Sequence, residues 1–141
     1  MRISGWPSAL LLLVLALGVI VVQAQQPPAI SMMSPEELKA KMAKNEPVVV
    51  IDVRSSEGFA NSTTTVKGST HFKLRKLKYR LQYPPLRDVP KDREIVTYCA
   101  CPKDEASIAA AQILQAGGFT RVKVLQGGWT EWHGGLLGRG A

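Results

Sequence analysis

The apolar residues fall into runs of different period, and the periods name the elements. Val48-Val49-Val50-Ile51 is a β-branched run without alternation, the pattern of a strand covered on both faces in a parallel sheet. It ends at Asp52. Ile95-Val96-Thr97-Tyr98 repeats the form and ends at Cys99, and Val122-Lys123-Val124-Leu125 gives a third strand ending in Gln126-Gly127-Gly128. Between the last two, the spacing predicts a helix over Glu105 to Ala116. Its apolar face carries Ile108, Ala109, Ile113 and Ala116, and Gly117-Gly118 is its stop. Strand, helix and strand in that order make a βαβ unit, so the fold class is α/β.

An earlier helix announces itself through its start. Ser34 is placed as N-cap, Pro35 occupies the first helical position and Glu37 closes a capping box, with Met33 and Leu38 as a hydrophobic staple. This helix is expected to run to about Asn45, where Pro47 prevents continuation. The stretch from Ser55 to Lys91 is less regular. Ser56 to Asn61 reads as a short helix, Gly68 to Phe72 as a short strand or turn, and Tyr83-Pro84-Pro85 as irregular. Gly134 to Ala141 is Gly-rich, lacks a core pattern and is expected to fray. No internal repeat is visible.

The beginning of the chain has a different grammar. Arg2 is followed by an unbroken apolar run of 14 residues, Ala9 to Val22, and Val22-Gln23-Ala24 places small residues at cleavage spacing. These are the parts of an export signal, cut after Ala24. The alternative is an uncleaved anchor, but a span needs about 20 apolar residues and this run ends at Gln23. The expected organisation is a signal over 1–24, an extended linker over 25–30, a domain over 31–133 and a flexible tail over 134–141. No stable membrane span remains after cleavage, and the mature chain is expected in a periplasmic or secreted, oxidising space.

Composition narrows the class. The 141 residues, 45% of them hydrophobic, suffice for one domain with its own core and not for two. With 21% charged residues, neither a disordered chain nor a multi-span membrane protein fits. The formal charge is +7, and removing Arg2 from the 18 basic residues leaves 17 against 11 acidic ones. That excess attracts anions without naming a partner. Part of it lies in Lys73, Arg75, Lys76, Lys78 and Arg80, which alternate with Leu74, Leu77, Tyr79 and Leu81. The run is either a solvated face over packed aliphatics or an electropositive rim. Export and the absence of a recognition module argue against nucleic acid.

The two cysteines, Cys99 and Cys101, are too few and too close for a disulfide framework. Asp52, Cys99 and Gly127-Gly128 all fall at carboxyl ends of strands, where parallel α/β sheets bind ligands, and are expected to share one pocket. Cys99 also stands at the turn from a buried strand into a helix, where unpaired amides and the helix dipole favour a thiolate. It is the nucleophile of choice. Cys101 has three readings: a small buried residue, half of a strained, readily reduced disulfide, or the thiol that resolves a Cys99 adduct. With His71 and His133 the cysteines show no metal-ligand spacing. No metal and no cofactor is expected.

Four blocks in order complete the picture. Val49-Val50-Ile51-Asp52-Val53-Arg54 with Glu57 and Phe59, then Val66-Lys67-Gly68-Ser69, then Ile95-Val96-Thr97-Tyr98-Cys99, and finally Leu125-Gln126-Gly127-Gly128-Trp129-Thr130-Glu131-Trp132 resemble a single-domain rhodanese, a thiosulfate sulfurtransferase-like protein. The resemblance covers roughly Ser31 to His133. It implies a rhodanese-like fold, a small parallel β-sheet flanked by helices on both faces. It further implies an enzyme in which the Cys99 thiolate takes a sulfane sulfur from a small sulfur-containing anion or persulfide donor and passes it to a thiol acceptor. The active-site loop would be Ala100, Cys101, Pro102, Lys103, Asp104, Glu105 and Ala106, its amides forming a nest around the sulfur. Asp52 would order the base of this loop, through hydrogen bonds from backbone or from Arg54. Arg54 could instead touch substrate, and Trp129 packs as core or lines the mouth.

The loop departs from the family habit of Gly and a terminal Arg or Ser. Asp104 or Glu105 stands where an anion-binding Arg is usual, so a persulfide is as suitable a donor as thiosulfate. The same substitution argues against the related phosphatase and arsenate reductase chemistries, which need that Arg. Two alternatives stay open: a rhodanese-fold binding module with weak or no turnover, and a thiol redox protein using the Cys99/Cys101 pair.

Overall fold

The β-branched runs line up as the middle of one parallel sheet. A computed structural model describes residues 28–137, so the expected signal and the last residues of the Gly-rich tail lie outside the described residues. The strands are β1 (Ser31–Met33), β2 (Val48–Asp52), β3 (Thr70–His71), β4 (Glu94–Tyr98) and β5 (Val122–Leu125), in the order β1-β5-β4-β2-β3. β4 is central, and every one of its residues is buried. Its register sets Asp52 beside Tyr98 and Thr97 beside Val124, which brings the strand ends to one edge. β1 was not marked by its sequence; three residues pair with Lys123 to Leu125 and seat Met33 in the core.

Helices cover both faces. α1 (Pro35–Ala43) and α5 (Gly128–Leu137) bring Leu38 and Trp132 onto Val50, Val96, Tyr98 and Leu125. On the opposite face, α3 (Leu74–Arg80) and α4 (Glu105–Ala116) bring Leu77, Ala110, Ala111 and Leu114 onto Ile51, Ile95 and Val124. A short α2 (Ser56–Ala60) follows β2. Each fully buried aliphatic side chain here is worth about 1.5–3 kcal/mol of transfer free energy. Among the described residues no helix is long and apolar enough to cross a membrane.

Several expectations shift at the level of single residues. Ser34 caps α1 by accepting from the Glu37 amide at 3.1 Å, but the Glu37 carboxylate accepts from Lys123 of β5 instead of closing the box. α1 stops at Ala43, short of the expected Asn45. Asn45 takes the left-handed conformation with φ 55°, and the Asn45 and Glu46 amides return to the Met42 and Lys41 carbonyls in a Schellman motif. α4 ends the same way, through Gly118 and Phe119 onto Gln115 and Leu114, as Gly117-Gly118 predicts. Its buried face, however, is Ser107, Ala110, Ala111 and Leu114. The expected face of Ile108, Ala109 and Ile113 is only half-buried and Ala116 is exposed, because α3 supplies only a partial second layer there. The alternating basic run is α3, and Lys73, Arg75, Lys76 and Lys78 are all exposed. Finally, α5 continues through Gly134 to Leu137, past the point where the chain was expected to fray.

Candidate active site

β4 delivers Cys99 to the carboxyl edge of the sheet, and the following loop wraps over it. Alternation along the strand sends Ile95, Thr97 and Cys99 toward α4, and Val96 and Tyr98 toward α5. Cys99 is completely buried, among the core residues of the α3/α4 face. Two polar groups nevertheless meet its sulfur. The Cys101 amide donates to Sγ at 3.4 Å, and the Ser107 hydroxyl lies 3.6 Å from it. Ser107 Oγ also donates to the Asp104 carbonyl at 2.8 Å, so its lone pairs face the Cys99 sulfur. Swinging that one proton converts it into a donor toward an anion.

The loop residues divide by exposure. Ala100, Pro102, Lys103 and Glu105 are exposed, Cys101 and Ala106 are half-buried, and Asp104 is buried. Of the loop amides expected to encircle the sulfur, that of Cys101 points to it, while that of Asp104 returns to the Cys101 carbonyl. The Cys101 sulfur caps Cys99. The two residues are paired as a disulfide, with Cα atoms 5.6 Å apart, within the ordinary range for such a pair.

Asp104 precedes α4 in the left-handed conformation with φ 55°. Its carboxylate does not cap the helix. One oxygen accepts from the Gly127 amide at 3.1 Å, tying the cysteine loop to the turn after β5. That turn needs its glycines: Gly127 and Gly128 have φ 70° and 50°, and a Cβ on Gly128 would run into the Cys99 carbonyl. The Trp129 amide donates to the same carbonyl at 2.8 Å. Backbone on both sides thus fixes Cys99. An open cavity of about 530 Å³ lies outside this junction, lined by Glu36, Pro102, Asp104, Gly127 and Glu131. Its three carboxylates make it a poor seat for an oxyanion.

Asp52, Arg54 and Trp129 assemble on the other face of the sheet, around Tyr98. Arg54 Nη2 and Nε donate to the Asp52 carboxylate at 2.7 and 3.0 Å, its amide at 2.9 Å, and the Tyr98 hydroxyl at 2.7 Å. Both charges are buried. The Arg54 guanidinium stacks 4.4 Å from the Trp129 ring centre, with Phe59 and Tyr98 each 5.6 Å away. Burial foremost, and the adjoining Asp52 carboxylate, push the Tyr98 phenol up to about 12, so it stays a neutral donor. The Arg54 carbonyl meets His71 Nε2 at 3.0 Å, and His71 stacks on Phe59. Asp52 therefore does take hydrogen bonds from backbone and from Arg54. It meets Cys99 only through main chain, by the Val53 amide on the Tyr98 carbonyl.

Tyr98 and Ser107 were not singled out by the sequence. The signal for Ser107 is a polar residue in the first turn of an otherwise apolar helix, turned inward; Tyr98 is masked by its place in a hydrophobic run. Among the described residues no three His, Cys, Asp or Glu side chains group as a metal site.

Residues 34–134 match the model of the family described as "Rhodanese-like domain". A sulfurtransferase of Allochromatium vinosum is 28% identical over 101 residues, covering 70% of this chain and 86% of its own. The crystal structure of the Alr3790 protein from Anabaena sp. superposes with a TM-score of 0.61 at 25% identity, over 72% of this chain and 85% of the other. The human single-domain sulfurtransferase superposes with a TM-score of 0.62 at 23% identity, over 75% and 97%. The five-stranded parallel sheet with helices on both faces is the rhodanese fold. From sequence blocks, sheet order and family match together, this chain belongs to the rhodanese-like domain family.

Proposed function

We propose that this chain is an exported sulfurtransferase that carries a sulfane sulfur on Cys99. The observation that carries the reading is the position of the Cys99 sulfur: at the carboxyl end of the central strand, against the Cys101 amide and the Ser107 hydroxyl. Those are the groups a persulfide anion needs in place of a strong base. One Asp104 carboxylate oxygen accepts from the Gly127 amide, which ties the group to the turn after β5 but leaves its negative charge on the loop. Lys103 is exposed on that loop and favours anionic donors. Thiosulfate, with three charged or polar oxygens, has no Arg there to hold it; a persulfide places fewer demands on the loop.

The cysteine is closed to solvent in the paired state, so turnover begins with reduction of the pair and opening of the 100–106 loop. Transfer rates of wild type, Cys99→Ala and Cys101→Ala, with thiosulfate and polysulfide as donors and a small thiol as acceptor, test the reading. Abolition in Cys99→Ala is expected. Equal rates in wild type and Cys99→Ala overturn it. Export rests on the pattern from Arg2 to Ala24; the mature amino terminus is then Gln25, read by terminal sequencing of extracytoplasmic protein, and a chain retaining Met1 there contradicts cleavage.

A further inference from the structure

Cys99 is sealed, whereas Cys101, two residues on, is half-exposed and sits on its sulfur. An external thiol meets Cys101 before it meets Cys99. We propose that Cys101 is the first acceptor of the reaction, a resolving cysteine that turns the sulfur carrier into a dithiol-dependent, sulfide-releasing enzyme. The inference rests on the Cys99 persulfide proposed above and adds the fate of its sulfur.

Reduced chain holds two thiols, and the Cys99 thiolate takes a sulfane sulfur from the donor to give Cys99–S–SH. The Cys101 thiolate then attacks the inner sulfur, Cys99 Sγ. The Cys101–Cys99 disulfide bond forms, the bond from Sγ to the outer sulfur breaks, and the electron pair leaves with the outer atom as HS⁻. The sulfane sulfur is reduced to sulfide while the two cysteine sulfurs are oxidised to the disulfide. A dithiol reductant completes the cycle by returning the pair to thiols and leaving as its own disulfide.

Geometry selects the inner sulfur. With Cα atoms 5.6 Å apart and the Cys101 amide on Cys99 Sγ, the Cys101 side chain is directed at Sγ itself. Attack there expels HS⁻, a better leaving group than an alkyl thiolate because its conjugate acid is the stronger one. Proximity of this kind makes the intramolecular thiol outcompete one in dilute solution. The closed pair, with Ser107 at the sulfur, is the arrangement that step would leave.

Reduced full-length chain, treated with polysulfide without oxygen, quenched with iodoacetamide and weighed intact, tests the step. Cys101→Ser is expected to retain one added sulfur as an alkylated persulfide. Wild type is expected to lose that sulfur at least tenfold faster, ending two hydrogens lighter than the reduced chain and unalkylated, and Cys99→Ser to retain no sulfur. A wild-type persulfide as long-lived as that of Cys101→Ser overturns the resolving role and leaves the sulfur carrier intact. No added sulfur in Cys101→Ser overturns both. Sulfur retained by Cys99→Ser reverses the roles and likewise overturns the proposal.

Discussion

Replacing Arg54 by Met tests whether the Asp52–Arg54 pair holds the carboxyl edge together. In the native chain the Asp52 carboxylate is fully buried and accepts from Arg54 Nε and Nη2, from the Arg54 amide and from Tyr98. Met fills much of the volume of the Arg stem but removes the guanidinium. The carboxylate keeps two donors, the residue-54 amide and the Tyr98 hydroxyl, and loses its countercharge. Breaking a buried pair by removing one partner costs about 3–5 kcal/mol. With two donors retained, about 3 kcal/mol is expected, a large share of the 5–15 kcal/mol typical of a domain. Urea unfolding at neutral pH reads it as a lower midpoint with unchanged slope. Asp52→Asn alone strands the cation and is expected to cost a similar amount. The double variant then costs less than the sum by about 2 kcal/mol, since the second change removes an already unpaired charge. A loss under about 1 kcal/mol for Arg54→Met, or strict additivity, would show that the pair is not what orders this edge.

Other expectations follow from single contacts. Gly128→Ala forces φ 50° on a residue with a Cβ that meets the Cys99 carbonyl; a loss of about 2 kcal/mol or more is expected, whereas Gly134→Ala, with open space around it in α5, is expected to stabilise by about 0.5–1 kcal/mol. Equal midpoints for the two would refute this. Ser107→Ala removes the hydroxyl beside Cys99 and is expected to slow alkylation of the reduced Cys99 thiol about tenfold or more, as the roughly 1.5–3 kcal/mol of one hydrogen bond to an anion predicts; an unchanged rate contradicts a role for Ser107. Burial opposes ionisation of Glu94, but its ion pairs with Lys41 and Lys123 outweigh that and hold its carboxyl below the ordinary value. Its stabilisation is therefore complete above the ordinary carboxylate range and is lost as pH falls through the lowered value. Glu94→Gln should cost about 1–2 kcal/mol at neutral pH and converge on wild type once pH falls below the lowered value; a pH-independent difference would contradict the pairing.

The sequence was most legible where one physical signal dominates. Unbroken β-branched runs mark strands buried on both faces, and β2, β4 and β5 lie within a residue of their expected bounds. Cys99, Asp52 and Gly127-Gly128 do stand at one edge. What did not show was anything set by tertiary packing. The face of α4 is chosen by Thr97 and Ser107 meeting across to the strand, with Thr97 donating to the Ser107 carbonyl, so the small residues go in and the isoleucines stay half out. β1 is too short to have a period. The separation of Cys99 from the Asp52–Arg54–Trp129 cluster follows from alternation along β4, which side-chain identity alone does not reveal. α3 carries a helical repeat, Leu74, Leu77 and Leu81, which the basic residues alternating with it obscure.

Peptide-resolved mass spectrometry of Cys101→Ser after exposure to a sulfane-sulfur donor bears most directly on sulfur carriage. One extra sulfur on the peptide containing Cys99, removed by a small thiol and absent from Cys99→Ala treated identically, is the expected result. An unmodified Cys99 peptide under conditions that persulfidate an ordinary exposed thiol would contradict it.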